Sequence, residues 1–304
     1  MKIKHIKVGG GAVKEVTIGN DLPFTLMSGP CQLQNRDLAM KICETLTKIT
    51  EKLGIQYIFK ASFDKANRNS INGKRGIGFE EGMKIFDEIR STFRVPVLTD
   101  VHNEEQPALV APHVDMLQQP AFLIRQTDLS AAIAKAGKVC NLKKAQFQAP
   151  TDMKNIIEKY EDSGNSNLCL TERGTSFGYG DLIVDPRSFI IMADTGYPVI
   201  MDATHSVQKP AAMGSSSGGE ARMAPIIVRA ALSTGVVGGL FIETHSEPLT
   251  GGSDIHNMIP LMYMEELLKQ WQEIDNVCKA NKSRFEDWDQ NGMPVDEILK
   301  KVKK

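Results

Sequence analysis

At 304 residues the chain is long enough to bury a large core, and 36 Lys and Arg against 37 Asp and Glu leave a formal net charge of −1. That balance excludes a global field for nucleic acid or a membrane surface, so any anion binding must be local. No apolar run approaches the roughly 18 to 20 residues that span a bilayer, and the opening MKIKHIKVGG lacks the apolar centre of a signal peptide, which predicts a cytoplasmic protein.

In chain order, residues 1–20 alternate apolar and polar positions on both sides of Gly9-Gly10-Gly11 and predict a small β-hairpin. The rest, 21–304, reads as one catalytic domain of repeated strand, loop and helix. Strands are predicted at 24–29, 55–60, 95–100, 115–119, 139–143, 167–172, 198–203 and 240–244. Helical periods fill 36–53, 79–93, 103–111, 127–136, 152–162, 186–195, 219–234 and 259–280. Eight alternating pairs with short returns predict parallel βα units, and at this length a closed α/β (β/α)8 TIM barrel is the leading solution. A doubly wound open sheet gives no reason for the count of eight, and no G-x-G-x-x-G opens a helix after a strand. The basic tail at 297–304 reads as a solvated helix end. Five cysteines, Cys31, Cys43, Cys140, Cys169 and Cys278, are scattered, odd in number and without a C-x-x-C pair, as in a reduced protein.

A barrel places chemistry on the loops leaving the carboxyl ends of its strands. The most pronounced of these is KASFDKANRNS, Lys60 to Ser70, where Lys60, Lys65 and Arg68 stand among Ser62, Asn67, Asn69 and Ser70 with only Asp64 opposing. The other strand ends offer Cys31, Asp100 with His102, Gln118, Lys143, Arg173, Asp202 with His205, and Glu243 with His245. Lys60, Lys65, Arg68, Lys143 and Arg173 come from different sides of the ring and suit a multiply anionic, phosphorylated substrate. Closure makes the first strand a neighbour of the eighth, which brings Cys31, His205, Glu243 and Asp254 together. One thiolate, one imidazole and two carboxylates suit a divalent Zn, Fe, Mn or Co ion.

KASFDKANRNS, LQQPAFLIRQTDL from Leu117, NLKKAQF from Asn141, TERGTSFGYGDL from Thr171, MDATHSVQ from Met201 and GLFIETHSEP from Gly239 together resemble the 3-deoxy-D-manno-octulosonate 8-phosphate synthase family, from about Ser28 to about Asp275. The related heptulosonate 7-phosphate synthases usually show Lys-Pro-Arg-Thr-Ser where this chain has Lys65-Ala66-Asn67-Arg68-Asn69-Ser70. The resemblance implies condensation of phosphoenolpyruvate with D-arabinose 5-phosphate and water, with release of inorganic phosphate, in lipopolysaccharide biosynthesis. It implies that Lys60, Lys65, Gln118, Lys143, Arg173 and His205 hold phosphoenolpyruvate, with Lys65 and His205 also close to the chemistry. Asn67 and Arg68 would meet the pentose phosphate, with Asn69 beside it, and Ser62 is a further substrate-binding position. Arg125, from AFLIRQTDL, would reach that phosphate from a neighbouring subunit, so a homotetramer is implied. Cys31, where metal-free relatives look to carry Asn, places the chain with the metal-dependent branch. Asp254 is then a ligand near the substrate, and His102, beside Asp100, a candidate proton carrier.

Three positions depart from the family pattern: Asn69 replaces a usual Ser, Ile255 follows Asp254 where Gly is usual, and Gln34 replaces a commoner Glu, a change expected only to alter a helix start. Three other readings stay open: the related heptulosonate 7-phosphate synthase using erythrose 4-phosphate, a Schiff-base aldolase using Lys60 or Lys143, and a catalytically silent barrel that binds a sugar phosphate or a protein. His5, His113 and His256 receive no role.

Overall fold

The computed structural model describes residues 2–68, 70–209 and 218–281. It opens with a hairpin, β1 (Ile6–Gly10) paired antiparallel with β2 (Val13–Ile18). Eight parallel strands follow: β3 (Thr25–Gly29), β4 (Tyr57–Lys60), β5 (Val97–Asp100), β6 (Met116–Gln119), β7 (Val139–Lys143), β8 (Leu168–Glu172), β11 (Val199–Asp202) and β14 (Val237–His245). Each pairs with the next, and β14 returns to β3 with Gly239 opposite Thr25 and Glu243 opposite Gly29, which closes a (β/α)8 TIM barrel. Every residue of these strands is buried, as expected for a parallel sheet covered by helices on its outer side.

Outside the ring lie α1 (Arg36–Leu53), α2 (Phe79–Phe93), α3 (Gln106–Val110), α4 (Thr127–Lys135), α5 (Met153–Asp162), α6 (Arg187–Ala193), α7 (Ala224–Leu232) and α8 (Met264–Ala280). The first shows why a sequence signal becomes a boundary. Asn35 caps it by accepting from the Leu38 amide at 2.9 Å, and Gly54 ends it with a left-handed φ of 68°.

The predicted elements differ from the observed ones mainly at helix starts. Pro260 is extended, so the expected helix from 259 opens instead with β15 (Ile259–Pro260), pairing with the end of β14, and becomes α-helical only at Met264. The expected helix from 219 begins at Ala224, because Gly218–Gly219 form β13, paired with β12 (Gln208–Lys209). The helix expected over 103–111 is α-helical only across α3. A two-stranded ribbon, β9 (Thr175–Phe177) with β10 (Asp181–Ile183), is additional. The tail at 297–304 lies outside the described residues, as does Asn69.

Strand parity sorts the interior. Met27, Ile58, Leu98, Met116, Val139, Cys169, Ile200 and Phe241, one from each barrel strand, form a single apolar cluster with Ile6, Val8, Val16 and Ile18 of the hairpin. The hairpin therefore floors the barrel. Side chains two residues further along each strand point inward again, one layer nearer the carboxyl end.

Candidate active site

Counting two from that apolar floor gives Gly29, Lys60, Asp100, Gln118, Asn141, Thr171, Asp202 and Glu243, and counting two more adds Cys31, Lys143 and Arg173. The polar layer is thus a consequence of period-two alternation on eight strands in register. Above it opens a cavity of about 810 Å³ lined by Lys60, Lys65, Asn67, Arg68, Asp100, His102, Gln118, Lys143, Arg173, His205 and Asp254, among others.

The cations are mostly matched. Lys60 Nζ sits 3.0 Å from Glu243 Oε1, and Lys65 Nζ 3.8 Å from the same oxygen. Lys143 Nζ lies 2.6 Å from Asp202 Oδ2 and 4.0 Å from the centre of the Phe241 ring. Burial pulls the Lys143 ammonium down from its ordinary value, with Asp202 opposing. Arg173 is different. It is 3 % exposed, its Nη2 donates to Gln208 Oε1 at 2.9 Å, and its Nη1 is buried with no hydrogen-bond partner among the described residues. A buried guanidinium nitrogen left unsatisfied on a cavity wall is a vacant place for an anion.

Burial would raise the carboxyls, but their cationic neighbours hold them down. His205, Lys60 and Lys65 keep Glu243 at about 2. Asp202 lies well below the usual range beside His205 and Lys143, and Asp100 likewise beside His102, Lys60 and Lys65. Ser62 Oγ donates to Asp100 Oδ1, while His102 Nε2 lies 3.0 Å from Asp100 Oδ2 and His102 Nδ1 is buried without a hydrogen-bond partner among the described residues.

Cys31, Glu243 and Asp254 each place a donor atom within 4.8 Å of the others. The Cys31 thiol donates to Asp254 Oδ2 at 3.3 Å, and burial, reinforced by Glu243, pushes that thiol well above its ordinary value. His205, the fourth expected ligand, stands outside this triad, although its Nε2 lies 3.6 Å from Glu243 Oε2, an oxygen buried without a hydrogen-bond partner among the described residues. Its Nδ1 lies 2.9 Å from Asp202 Oδ2, an arrangement that leaves Nε2 as the coordinating nitrogen. Sulfur, nitrogen and carboxylate donors around an orphaned oxygen fit a divalent ion. Asp254 alone of the triad lines the cavity; Cys31 and Glu243 lie behind the wall.

Several expected residues sit elsewhere than in an open subsite. Ser62 is fully buried beneath the cavity, between Lys60 and Asp100. Arg68 lines the cavity, but its guanidinium already donates to Lys74 O, Ser253 Oγ and Gly252 O, each at 2.8 Å, tying the loop after β4 to the loop after β14. Arg125 is exposed and is not among the residues that line the cavity, although Phe122 and Leu123 just before it are. Gln34 does more than begin a helix: its amide donates to Thr250 O at 3.0 Å and its Oε1 lies 2.8 Å from His245 Nε2, so it anchors the loop after β14. Asp254 itself takes the left-handed conformation, φ 52°, and Ile255 does not, which is why a β-branched residue is accommodated there.

Three contributors carry no expectation from the sequence. Asn141 donates to Gln118 Oε1 at 3.0 Å and accepts from Thr171 Oγ1, which leaves the Gln118 amide nitrogen as the end able to donate elsewhere. Gln208 joins Arg173 to Asp254. The parity count would have found Asn141 and Thr171; Gln208 lies past the end of barrel strand β11, in the two-residue β12, which is too short for a period to register.

Residues 4–280 match the DAHP synthetase I family. The chain is 50% identical over 275 residues to the 2-dehydro-3-deoxyphosphooctonate aldolase of Brucella anthropi, covering 90% of this chain and 97% of that relative. The proteins of the same name from Brucella ovis and Brucella melitensis biotype 1 match to the same extent.

Proposed function

We propose, from the premise that the chain belongs to the DAHP synthetase I family, that it joins phosphoenolpyruvate, D-arabinose 5-phosphate and water into 3-deoxy-D-manno-octulosonate 8-phosphate and inorganic phosphate, a step toward lipopolysaccharide. The family is described by the heptulosonate reaction, but relatives at 50% identity bear the octulosonate name, and Lys65-Ala66-Asn67-Arg68 has the octulosonate form. The single observation that carries the reading is Arg173, a buried guanidinium with a vacant Nη1 on the wall of a cavity it shares with Lys143.

In this reading C3 of the enol phosphate bonds to the aldehyde carbon, whose oxygen takes a proton and becomes a hydroxyl. Water adds at C2 and gives up one proton, which balances the proton taken by the aldehyde oxygen; the resulting C2 hemiketal then collapses, its C2–O bond to phosphate breaking and its hydroxyl proton leaving with inorganic phosphate, to give a ketone. Arg173, Lys143, Lys60, Lys65, Gln118 and His205 hold phosphoenolpyruvate, while Asn67 and Arg68 meet the pentose phosphate. Neutralising two phosphoesters at close range, with the reacting carbons held in line, is the principal task. His102, backed by Asp100, moves a proton at the cavity wall. Cys31, His205, Glu243 and Asp254 would hold a Zn, Mn, Fe or Co ion, which when bound orients and polarises the aldehyde. Arg125 would serve a neighbouring subunit's site within a homotetramer.

Purified chain should release phosphate from phosphoenolpyruvate only when arabinose 5-phosphate is present, and chelation should lower turnover until a divalent ion is restored. Equal or better turnover with erythrose 4-phosphate would assign the heptulosonate reaction instead. A borohydride-trapped adduct would assign a Schiff-base aldolase. A tetramer in analytical ultracentrifugation supports the role given to Arg125, and a monomer contradicts it.

A further inference from the structure

Gln208 occupies a position that neither barrel parity nor the substrate roles above account for. It follows the turn after β11 and is fixed by its backbone pairing with Gly219 in β13. Its side chain touches two groups of opposite charge: Oε1 accepts from Arg173 Nη2 at 2.9 Å, and Nε2 donates to Asp254 Oδ1 at 2.7 Å.

The chemistry of those partners dictates the residue. A guanidinium offers only donors and an ionised carboxylate only acceptors, so a spacer between them must present one acceptor and one donor at opposite ends of a short planar group. A primary amide does so, and turning it over would set two donors and two acceptors face to face. A carboxylate at 208 would meet Asp254 with like charge, and an apolar side chain would meet neither partner.

The surroundings of Asp254 raise the importance of that contact. Asp254 holds a left-handed φ of 52°, a conformation a non-glycine residue keeps only when its surroundings hold it there. Besides Gln208, Ser253 Oγ donates to its other oxygen at 2.7 Å, and Asn257 Nδ2 lies 3.5 Å from Oδ1. Asn257 comes this close because residue 219 is glycine: a Cβ there would stand 1.3 Å from Asn257 Oδ1. Arg173, for its part, has among the described residues no hydrogen bond to a side chain other than Gln208.

We propose that Gln208 is a positioning residue that sets the Arg173 guanidinium and the Asp254 carboxylate in one fixed relation, so that the anion subsite and the candidate metal centre depend on the same amide. The proposal rests on the assignment of phosphoenolpyruvate to Arg173 and of the ion to Asp254. Gln208 lines the same cavity, but its amide oxygen is taken up by Arg173 and its amide nitrogen by Asp254, so it acts through those two charged groups.

The test uses the full chain and Gln208→Met, which keeps the side-chain length and removes both hydrogen bonds. Three quantities are measured: phosphoenolpyruvate affinity of metal-free protein by calorimetry, Co²⁺ affinity by chelator competition, and the KM for each substrate. The expected result is about a tenfold loss in both affinities, the usual scale for removing a side chain that orients a ligating group, with the KM for arabinose 5-phosphate changed less than twofold. Loss of only one affinity, or of neither, overturns the proposal. A uniform loss that includes the pentose phosphate also overturns it, because Gln208 would then be a general structural residue. Wild-type protein that binds neither phosphoenolpyruvate nor Co²⁺ refutes the underlying site assignment instead, before any variant is compared. If Gln208→Met does not fold, Gln208→Ala is read by the same criteria.

Discussion

Glu243 is ionised in the middle of a barrel because Lys60 and Lys65 surround one of its oxygens and His205 faces the other. Lys60 is 2 % exposed and Glu243 0 %, so removing Lys60 alone takes the nearest cation from a buried carboxylate and leaves only the more distant Lys65 and His205 to compensate it. Lys60→Met should therefore cost about 3–5 kcal/mol in denaturant unfolding, whereas the double change of Lys60→Met with Glu243→Leu should recover most of that loss. A Lys60→Met variant as stable as the parent would show that the pair is hydrated. Cys31→Ala should lower Co²⁺ affinity at least tenfold in chelator competition, since a first ligand matters at least as much as the 10–100-fold typical of its supports; unchanged affinity would remove sulfur from the proposed ligand set. At this scale the sequence was legible wherever a side chain ends a strand: Lys60, Asp100, Gln118, Lys143 and Asp202 reach the rim because alternation requires it. Ser62 and Arg68 were less legible. Their positions depend on loop partners, Asp100 for one and Gly252 with Ser253 for the other, and no local pattern encodes those.

Among the elements, β3 is the one most constrained by backbone proximity. A Cβ at Gly29 would stand 2.2 Å from the carbonyl oxygen of Lys60, which is backbone of the adjoining strand and cannot rotate away. Gly29→Ala should push β3 from β4 and displace both Lys60 and Cys31, lowering the thermal midpoint and Co²⁺ affinity together. A variant that kept both would show that the two strand ends can separate without disturbing the site. All eight barrel strands and their helices were readable, because long amphipathic periods such as α1 and short apolar runs such as IQYIF carry strong signals. The ribbon β9–β10 was not. Its residues are largely exposed, TSF and DLI are too short for a period to register, and their pairing depends on a turn in which Gly178 takes φ 63°. The late start of α8 was hidden for a related reason: apolar residues continue across Ile259–Pro260 and the turn that follows, so the composition does not change where the backbone does.

For the molecule as a whole, one end of the barrel is closed by apolar packing and the other opens as a charged cavity. Val8 is fully buried among one residue from each of the eight strands. Val8→Asp would set an unpaired carboxylate on that floor and should destabilise the fold by more than about 3 kcal/mol in denaturant unfolding; a loss under about 1 kcal/mol would mean the hairpin is dispensable to the core. The near-zero net charge is compatible with the proposed anion subsite because Lys60, Lys65, Arg68, Lys143 and Arg173 converge on one cavity, with Lys60, Lys65 and Lys143 matched by carboxylates. Phosphoenolpyruvate would enter an environment whose charges are already ordered, with Arg173 Nη1 left vacant to receive it. A crystal structure of the chain with phosphoenolpyruvate tests this most directly. The account predicts an anionic group of the ligand hydrogen-bonded to Arg173 Nη1, with Lys143 beside it at the carboxyl ends of β7 and β8. Phosphoenolpyruvate seated outside the barrel mouth, with Arg173 Nη1 still vacant, would contradict it.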